Sequence, residues 1–554
     1  MSRQAGVLLP LFSIRSARDW GVGEIPDLVP FARWCADAGF SVAQVLPVNE
    51  ASRGQHSPYA ALSAFAIDPV YLGVGALEDF EAAGGEGALG DDGRRRLDAV
   101  RGAPTVRWNE VRDLKRRAVE LAFARFERDE WARRSERARA LEAFAVEEGS
   151  WLEDYALFVA IHDGEQGGRS WTEWPAPLRD RQPGALAEAR ARLSRPVLFY
   201  MWLQWQLEEQ WHAARRGANA LGDARARLSD EVLFHRWLQW QLEEQWHAAR
   251  RGANALGVEL GGDLPFMVAT DAADVWARRG DFRLDARVGV PPDAFSATGQ
   301  DWGLPVYRWD VMEREGYPWL TERARRMADL YGLYRVDHVV GMYRTYYFPN
   351  DGGPPAFIPP DEPSQTRNGE RVLAIFSKGA RVIAEDLGTV PDFVRASLAR
   401  IRIPGYRVLR WERKWKEPHQ PFRDSRDWPA LSVATTGTHD TDSMADWWEG
   451  MPDEERKAIL ALPRLAPLAG RGETFDGAVR DALLELVYGS ASELLLLPFQ
   501  DAFGLRDRVN VPGTVNEENW TYRVPRDLAQ LHADRADADR LRALAARSGR
   551  VPGG

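Results

Sequence analysis

The chain contains a single cysteine, Cys35, among 554 residues. One cysteine forms no internal disulfide and builds no thiolate metal cluster. Long apolar runs are also missing: no window approaches the roughly eighteen successive apolar residues of a membrane span. With a net charge of −10, the chain lacks the basic excess that nucleic-acid phosphates favour. Its basic runs, GRRRLDAVR and DLKRRAVE, alternate with acids and read as solvated helix faces. The opening MSRQAGVLLPLFSIR lacks the charged, apolar and small-residue succession of a signal peptide. These absences point to the cytoplasm, with no nucleic-acid and no membrane partner. Familiar catalytic signatures are missing too. His338 and His439 have no HExxH spacing, and neither GVGEIP nor GGEGALG completes a phosphate-binding fingerprint. No G-x-S-x-G elbow marks a serine hydrolase.

Against this background one residue type stands out. The chain has 23 tryptophans, while its 45% hydrophobic and 28% charged residues are ordinary for a globular protein. A broad aromatic face covers the C–H face of a sugar ring well, so the excess leans toward carbohydrate. The other anomaly is a repeat. WLQWQLEEQWHAARRGANALG runs from Trp202 to Gly222 and again from Trp237 to Gly257. Two nearly identical copies are too few and too alike for a stacking array, which needs about three drifting units. A local tandem duplication, covering 189–222 and 224–257, is the better reading.

Short β-rich runs separated by helical patterns punctuate the chain at 6–15, 41–49, 257–270, 332–342, 381–388, 406–411, 431–440 and 493–503. Eight strands alternating with helices predict an α/β fold, a (β/α)8 TIM barrel. A doubly wound open sheet shares this alternation. Residues 1–72 then hold barrel strands one and two. Residues 73–254 form a long helical insertion containing the duplication, and 255–554 supply the rest of the barrel with shorter insertions. Only the second copy leads directly into a barrel strand, GANALG running on into VELGGDLP. It is therefore read as the native helix before strand three, and the first copy as an extra helical hairpin.

Barrel chemistry sits at the C-terminal ends of strands, and three runs end there in acids. RVDH places Asp337 after the fourth strand, with Arg335 two residues earlier on the same face. VIAEDLG places Glu385 and Asp386 after the fifth, and TTGTHD places His439 and Asp440 after the seventh. A neighbouring guanidinium favours the ionised carboxylate of a nucleophile. A carboxyl crowded by other carboxylates keeps a proton for a leaving group. Paired carboxylates are the usual apparatus for cleaving a glycosidic bond, and a third acid can bind sugar hydroxyls. Each acid can equally cap the helix after its strand, but three at strand ends favour catalysis.

HSPYAALSAFAIDP, GGDLPFMVATDAADVWA, GVPPDAFSATGQDWGLPVYRW, YRVDH, IAEDLG, TGTHDTD and NVPGTVNEENWTYR follow one another in that order. Together they resemble the amylomaltase family of 4-α-glucanotransferases, over about residues 6 to 525. The resemblance implies a barrel with helical insertions, no metal and no organic cofactor. It implies transfer of α-1,4-glucan segments between maltooligosaccharide donors and acceptors, with retention. Asp337 becomes the nucleophile, Glu385 the general acid and base, and Asp440 the group that stabilises the distorted donor sugar. Arg335 and His439 support them, and Tyr59 offers a stacking face. Residues 291–303 resemble the loop that covers the cleft. Asp293 and Trp302 then lie along the bound chain, and Asp271 near the donor side. The sequence departs from the family pattern at Ala60, Leu304, Val339, Val340 and Thr441, positions where sugar contacts are at stake. An α-glucan hydrolase on the same barrel and a glucan-binding protein without turnover are the competing readings, the second disfavoured by the intact acids.

Overall fold

The computed structural model describes residues 3–51, 55–149, 151–193, 230–292, 299–470, 473–514 and 516–551. Twelve strands are present among them: β1 (Gln4–Leu8), β2 (Val42–Gln44), β3 (Glu259–Leu264), β4 (Phe282–Val290), β5 (Gln300–Tyr307), β6 (Leu333–Val336), β7 (Thr345–Pro349), β8 (Ala356–Ile358), β9 (Arg381–Ala384), β10 (Gly405–Val408), β11 (Ser432–Thr435) and β12 (Leu494–Pro498). Eight of them close into a parallel barrel in the order β1-β12-β11-β10-β9-β6-β3-β2. All eight strands expected from sequence are barrel strands, and each is shorter than the apolar run that announced it. The run 6–15, for instance, leaves β1 at Leu8 and turns into a 3-10 segment at Leu11–Ser13. The surplus residues form the rim where the candidate site is built.

The barrel is filled rather than hollow. Val42, Leu333, Ile383, Tyr406, Val408, Val433, Leu494 and Leu496 pack against one another inside it, the layered filling expected of such barrels. Gly6 makes room for them, since a Cβ there would lie 2.7 Å from both Leu496 and Val42. A second and much larger apolar layer lies between strands and helices.

Between β2 and β3 the described elements are helical, ending in the helix Asp230–Ala255, which holds the second repeat copy. Leu238, Leu242, Trp246, Ala249 and Ala253 are buried at helical spacing, which gives the helix an inward stripe. Two of its amides grip neighbouring backbone. The Gln239 side chain bonds both the N–H and the carbonyl of Ile67, and Gln245 does the same to Gly73 at 2.7 and 3.3 Å. Trp246 Nε1 donates to the Leu330 carbonyl at 2.6 Å. Gly252 meets Val29 so closely that a Cβ would lie 2.6 Å from it. Gly257, at φ 74°, ends the segment in the left-handed conformation that glycine adopts without strain. The first copy lies outside the described residues.

The later insertions differ from the helical ones expected. Strands β5-β4-β7-β8 form a four-stranded antiparallel sheet beside the barrel, and the residues joining β4 to β5 include the expected cover loop. No helix among the described residues is long and apolar enough to cross a membrane.

Candidate active site

The strand ends bring together residues far apart in sequence. Asp337 directly follows β6 and Glu385 directly follows β9, and these strands are neighbours. Arg335, on β6, lies in register with Asp263 on β3. Its guanidinium pairs with Asp263 at 2.6 Å and with Asp337 at 2.7 Å, and reaches Glu385 Oε2 at 4.0 Å. Tyr59 donates to Asp263 at 2.8 Å and accepts from Arg335 at 3.2 Å. Burial alone would depress the arginine's pKa, but the carboxylates of Asp263 and Asp337 outweigh it and raise it well above the ordinary value. Arg335 is thus a fixed positive charge, nearly buried among acids.

Among the acids of this cluster, Glu385 is the one moved furthest up from its ordinary value. Burial pushes its pKa up to about 8; Arg335 opposes the shift, and Asp337 and Asp386 add to it. Its Oε2 accepts the His338 N–H at 2.9 Å and its Oε1 the Leu387 N–H at 3.2 Å, so the carboxyl is held in place. His338 sits at φ 42°, a strained backbone for a residue with a Cβ and a recurrent feature of functional sites. Burial lowers its pKa to about 4, which leaves the ring neutral.

Asp440 belongs to a different environment across the barrel mouth. Burial works against its charge, but His439, Asn510 and Arg335 outweigh it and hold its pKa near 2. His439 Nε2 lies 3.3 Å from one oxygen, and Asn510 donates to the other at 2.6 Å. Arg508 bonds the Asp440 carbonyl at 2.7 Å. The Tyr59 ring stacks on His439 at 5.3 Å, and Trp520, itself at φ 65°, closes over both at 5.9 and 5.8 Å.

The structure therefore gathers Tyr59, Arg335, Asp337, Glu385, His439 and Asp440 at one barrel mouth. Trp302, on β5, joins them: its ring meets His338 edge-on at 5.0 Å. Asp271 does not contact this cluster. Its carboxylate accepts Ser170 Oγ at 2.8 Å and the Trp171 N–H at 3.1 Å, tying down the helical insertion. Asp293 lies outside the described residues, as do residues 294–298 of the same loop. Three contributors were missed. Asp263 hides inside a strand and is signalled only by its register with Arg335. Asn510 and Trp520 stand in the quoted NVPGTVNEENWTYR motif, without a periodicity to single them out. The departures at Val339 and Val340 point into the core rather than the cleft, both being buried. Thr441 closes its own turn, bonding the Thr438 N–H and carbonyl at 3.0 Å each. Among the described residues, no group of three His, Cys, Asp or Glu is placed to hold a metal ion.

A closed parallel barrel with three carboxyls around one guanidinium, and a fourth at the same mouth, defines an enzyme class: barrel enzymes equipped for glycosidic-bond chemistry. Comparison with known proteins narrows it. The glycoside hydrolase family 77 model, described as 4-alpha-glucanotransferase, matches residues 9–222 and 215–529. The chain is 33% identical over 573 residues to the 4-alpha-glucanotransferase of Thermus thermophilus, covering 98% of each. It is 30% identical over 545 residues to that of Chlamydia pneumoniae, covering 96% of this chain and 93% of the relative. Amylomaltase from Streptococcus agalactiae in complex with acarbose shares the fold, with a TM-score of 0.76 at 23% identity, over 99% of this chain and 100% of that one. The chain belongs to the 4-alpha-glucanotransferase family.

Proposed function

We propose that this 4-alpha-glucanotransferase moves α-1,4-glucan segments between maltooligosaccharides through a glycosyl-enzyme on Asp337. Asp337 attacks the anomeric carbon while Glu385 gives its proton to the glycosidic oxygen, and the shortened glucan leaves. Glu385, now ionised, takes the proton of an acceptor hydroxyl, which displaces Asp337 and restores the configuration. Asp440, held ionised, accepts hydroxyls of the distorted donor sugar. Tyr59 and Trp302 flank the sugar chain.

One observation carries this reading. Asp337 and Glu385 both lie within 4.0 Å of the same Arg335 nitrogen, which sets the nucleophile and the proton donor side by side on one guanidinium, the close pairing that a retaining enzyme uses. The raised pKa of Glu385 supports its role as proton donor. We extend the reading to Asp271 and Asp293 as groups along the bound glucan, and to residues 291–303 as the cover that lets an acceptor sugar reach the intermediate before water. A cytoplasmic setting suits a chain whose one cysteine is buried.

Incubation with maltotriose tests the proposal. Glucose plus a ladder of longer oligosaccharides, at constant total reducing ends, is expected. Rising reducing ends without longer products would make the enzyme a hydrolase.

A further inference from the structure

Asp501 is a buried acid that the transfer chemistry does not use. It stands in the short helix Phe499–Phe503 that follows β12. Taking a carboxylate out of water is costly unless donors meet its oxygens. Burial pushes the pKa of Asp501 up, and Thr436, Met444 and Arg410 oppose the shift. Both oxygens are occupied. Oδ2 accepts the Thr436 hydroxyl at 2.6 Å, and Oδ1 accepts the Met444 N–H at 2.7 Å.

Those two partners bound one loop. Thr436 is the first residue after β11, and Met444 opens the helix Met444–Glu449. Asp440 lies midway between them, four residues from each. One carboxylate therefore ties the start of the loop to its end. The base of the loop is packed against the same group. A Cβ on Gly437 would lie 2.4 Å from Thr441 Oγ1, 3.4 Å from Arg410 Nη2 and 3.6 Å from Asp501 Oδ2. Arg410 donates to the Asp442 carbonyl at 2.8 Å. Asn510 and Arg508, from the chain that follows the Asp501 helix, hold the tip at Asp440. Helix capping does not account for the arrangement. Ser443 already caps the helix, its hydroxyl accepting the Asp446 N–H at 3.1 Å, and Thr436 belongs to no helix.

We propose that Asp501 is a positioning residue for glucan transfer: by clamping both ends of the loop 436–444 it sets where the Asp440 carboxylate meets the donor sugar. The proposal rests on the role given to Asp440 in the transfer reading. A group that stabilises a transition state works only when held close to the required place, and a misplacement of about 1 Å costs on the order of 10²-fold in rate. Loosening the clamp removes stabilisation of the distorted sugar and leaves ordinary binding in place, so the loss appears in kcat rather than in KM.

Three variants test it on maltotriose, each alone and combined with Asp440→Asn. Thr436→Val removes one arm of the clamp at nearly constant shape, and Asp501→Ala removes both. Asp501→Asn keeps an acceptor for Met444 and offers Thr436 a donor. The valine variant is expected to lower kcat about tenfold and the alanine variant about 10²-fold, with KM within about twofold of wild type. Asp501→Asn is expected to recover most of the rate. In the Asp440→Asn background neither Thr436→Val nor Asp501→Ala is expected to lower kcat further, because the residue they act through is already lost. Full additivity there would overturn the clamp, as would a lowered Tm with kcat intact, which would make Asp501 a structural brace. If Asp501→Ala fails to fold, the Thr436→Val pair decides alone. Asp440→Asn with wild-type turnover would refute the role given to Asp440 and the clamp with it. A crippled Asp440→Asn beside an unaffected Thr436→Val would refute the clamp and leave the transfer reading standing.

Discussion

Two buried arginines occupy opposite ends of the barrel, and their surroundings push them in opposite directions. Arg335, near the C-terminal ends of the strands, is ringed by Asp263, Asp337 and Glu385, and its pKa is driven up despite burial. Arg550, from the last turn of the described chain, lies below the N-terminal ends of β1 and β12. It donates to the carbonyls of Tyr488 at 2.9 Å, Gln4 at 3.0 Å, Ser490 at 3.2 Å and Ser492 at 2.8 Å. Burial, with Arg3 nearby, pulls its pKa down to about 9. Carbonyl dipoles satisfy a guanidinium's hydrogen bonds without neutralising its charge, whereas carboxylates do both. One end of the barrel is accordingly an electrostatic device, and the other a mechanical seal that locks the C-terminus against the first strand.

The largest effect sits at the electrostatic end. Glu385→Gln is expected to cut maltotriose transfer by about 10³-fold or more, since the general acid is lost. In the wild type, the proton that Glu385 donates is lost as pH rises through about 8, so kcat/KM falls on the alkaline side with an apparent pKa near that value. Stability follows the same group with the opposite benefit. Between its ordinary 4.5 and about 8 the unfolded chain releases this proton while the folded chain keeps it, so native stability declines as pH rises through that window. The inactive variant escapes the penalty. Its Tm advantage over wild type is expected to be larger at pH 8 than at pH 5, and an equal difference at both would contradict the raised pKa.

Replacing the arginines themselves sharpens the contrast. Arg335→Ala leaves Asp263, Asp337 and Glu385 facing one another, and transfer is expected to drop about 10²–10³-fold with a loss of roughly 3–5 kcal/mol in stability. Arg550→Ala strips several carbonyls of their donor far from any chemistry. A cost of about 2–3 kcal/mol is expected, seen as a lowered Tm, with kcat/KM on maltotriose within twofold of wild type. Activity loss in the Arg550 variant at a temperature where it remains folded would break the division between the two ends.

How much of this was legible in the sequence depends on which forces placed each element. Barrel strands such as LLLLP and RVIA are buried on both faces, so they read as apolar runs. The antiparallel sheet was overlooked because FRLDARVGV and QDWGLPVY interleave charged or polar residues with apolar ones and present no such run. The catalytic acids were legible because each follows its strand directly or within a short turn. Asp263 was not, because a carboxylate inside a strand becomes meaningful only when the barrel closes and sets it in register with Arg335. Asn510 reaches back to Asp440, 70 positions earlier in the chain, a pairing no local pattern encodes. Asp271 was legible as an acid but not in its use, since Ser170 and Trp171 come to it from an insertion a hundred residues earlier.

The smallest effect concerns the repeat. The helix Asp230–Ala255 fills its socket with side chains of the second copy: Gln239 on Ile67, Gln245 on Gly73, Trp246 on Leu330. It then runs within a few residues into β3, whose Asp263 the site requires. Every one of those gripping residues has an identical counterpart thirty-five positions earlier, at Gln204, Gln210 and Trp211. One socket needs one helix, and the family match itself falls into two segments that overlap at the repeat, ending at 222 and restarting at 215. Deleting residues 189–223 removes one period and keeps the seated copy in phase with β3. Transfer on maltotriose is expected to stay within twofold of the full chain, and Tm to hold or rise slightly as the entropic cost of a long connection falls. Insoluble or inactive protein from that deletion would mean that the first copy, rather than being surplus, supplies packing that the rest of the fold depends on.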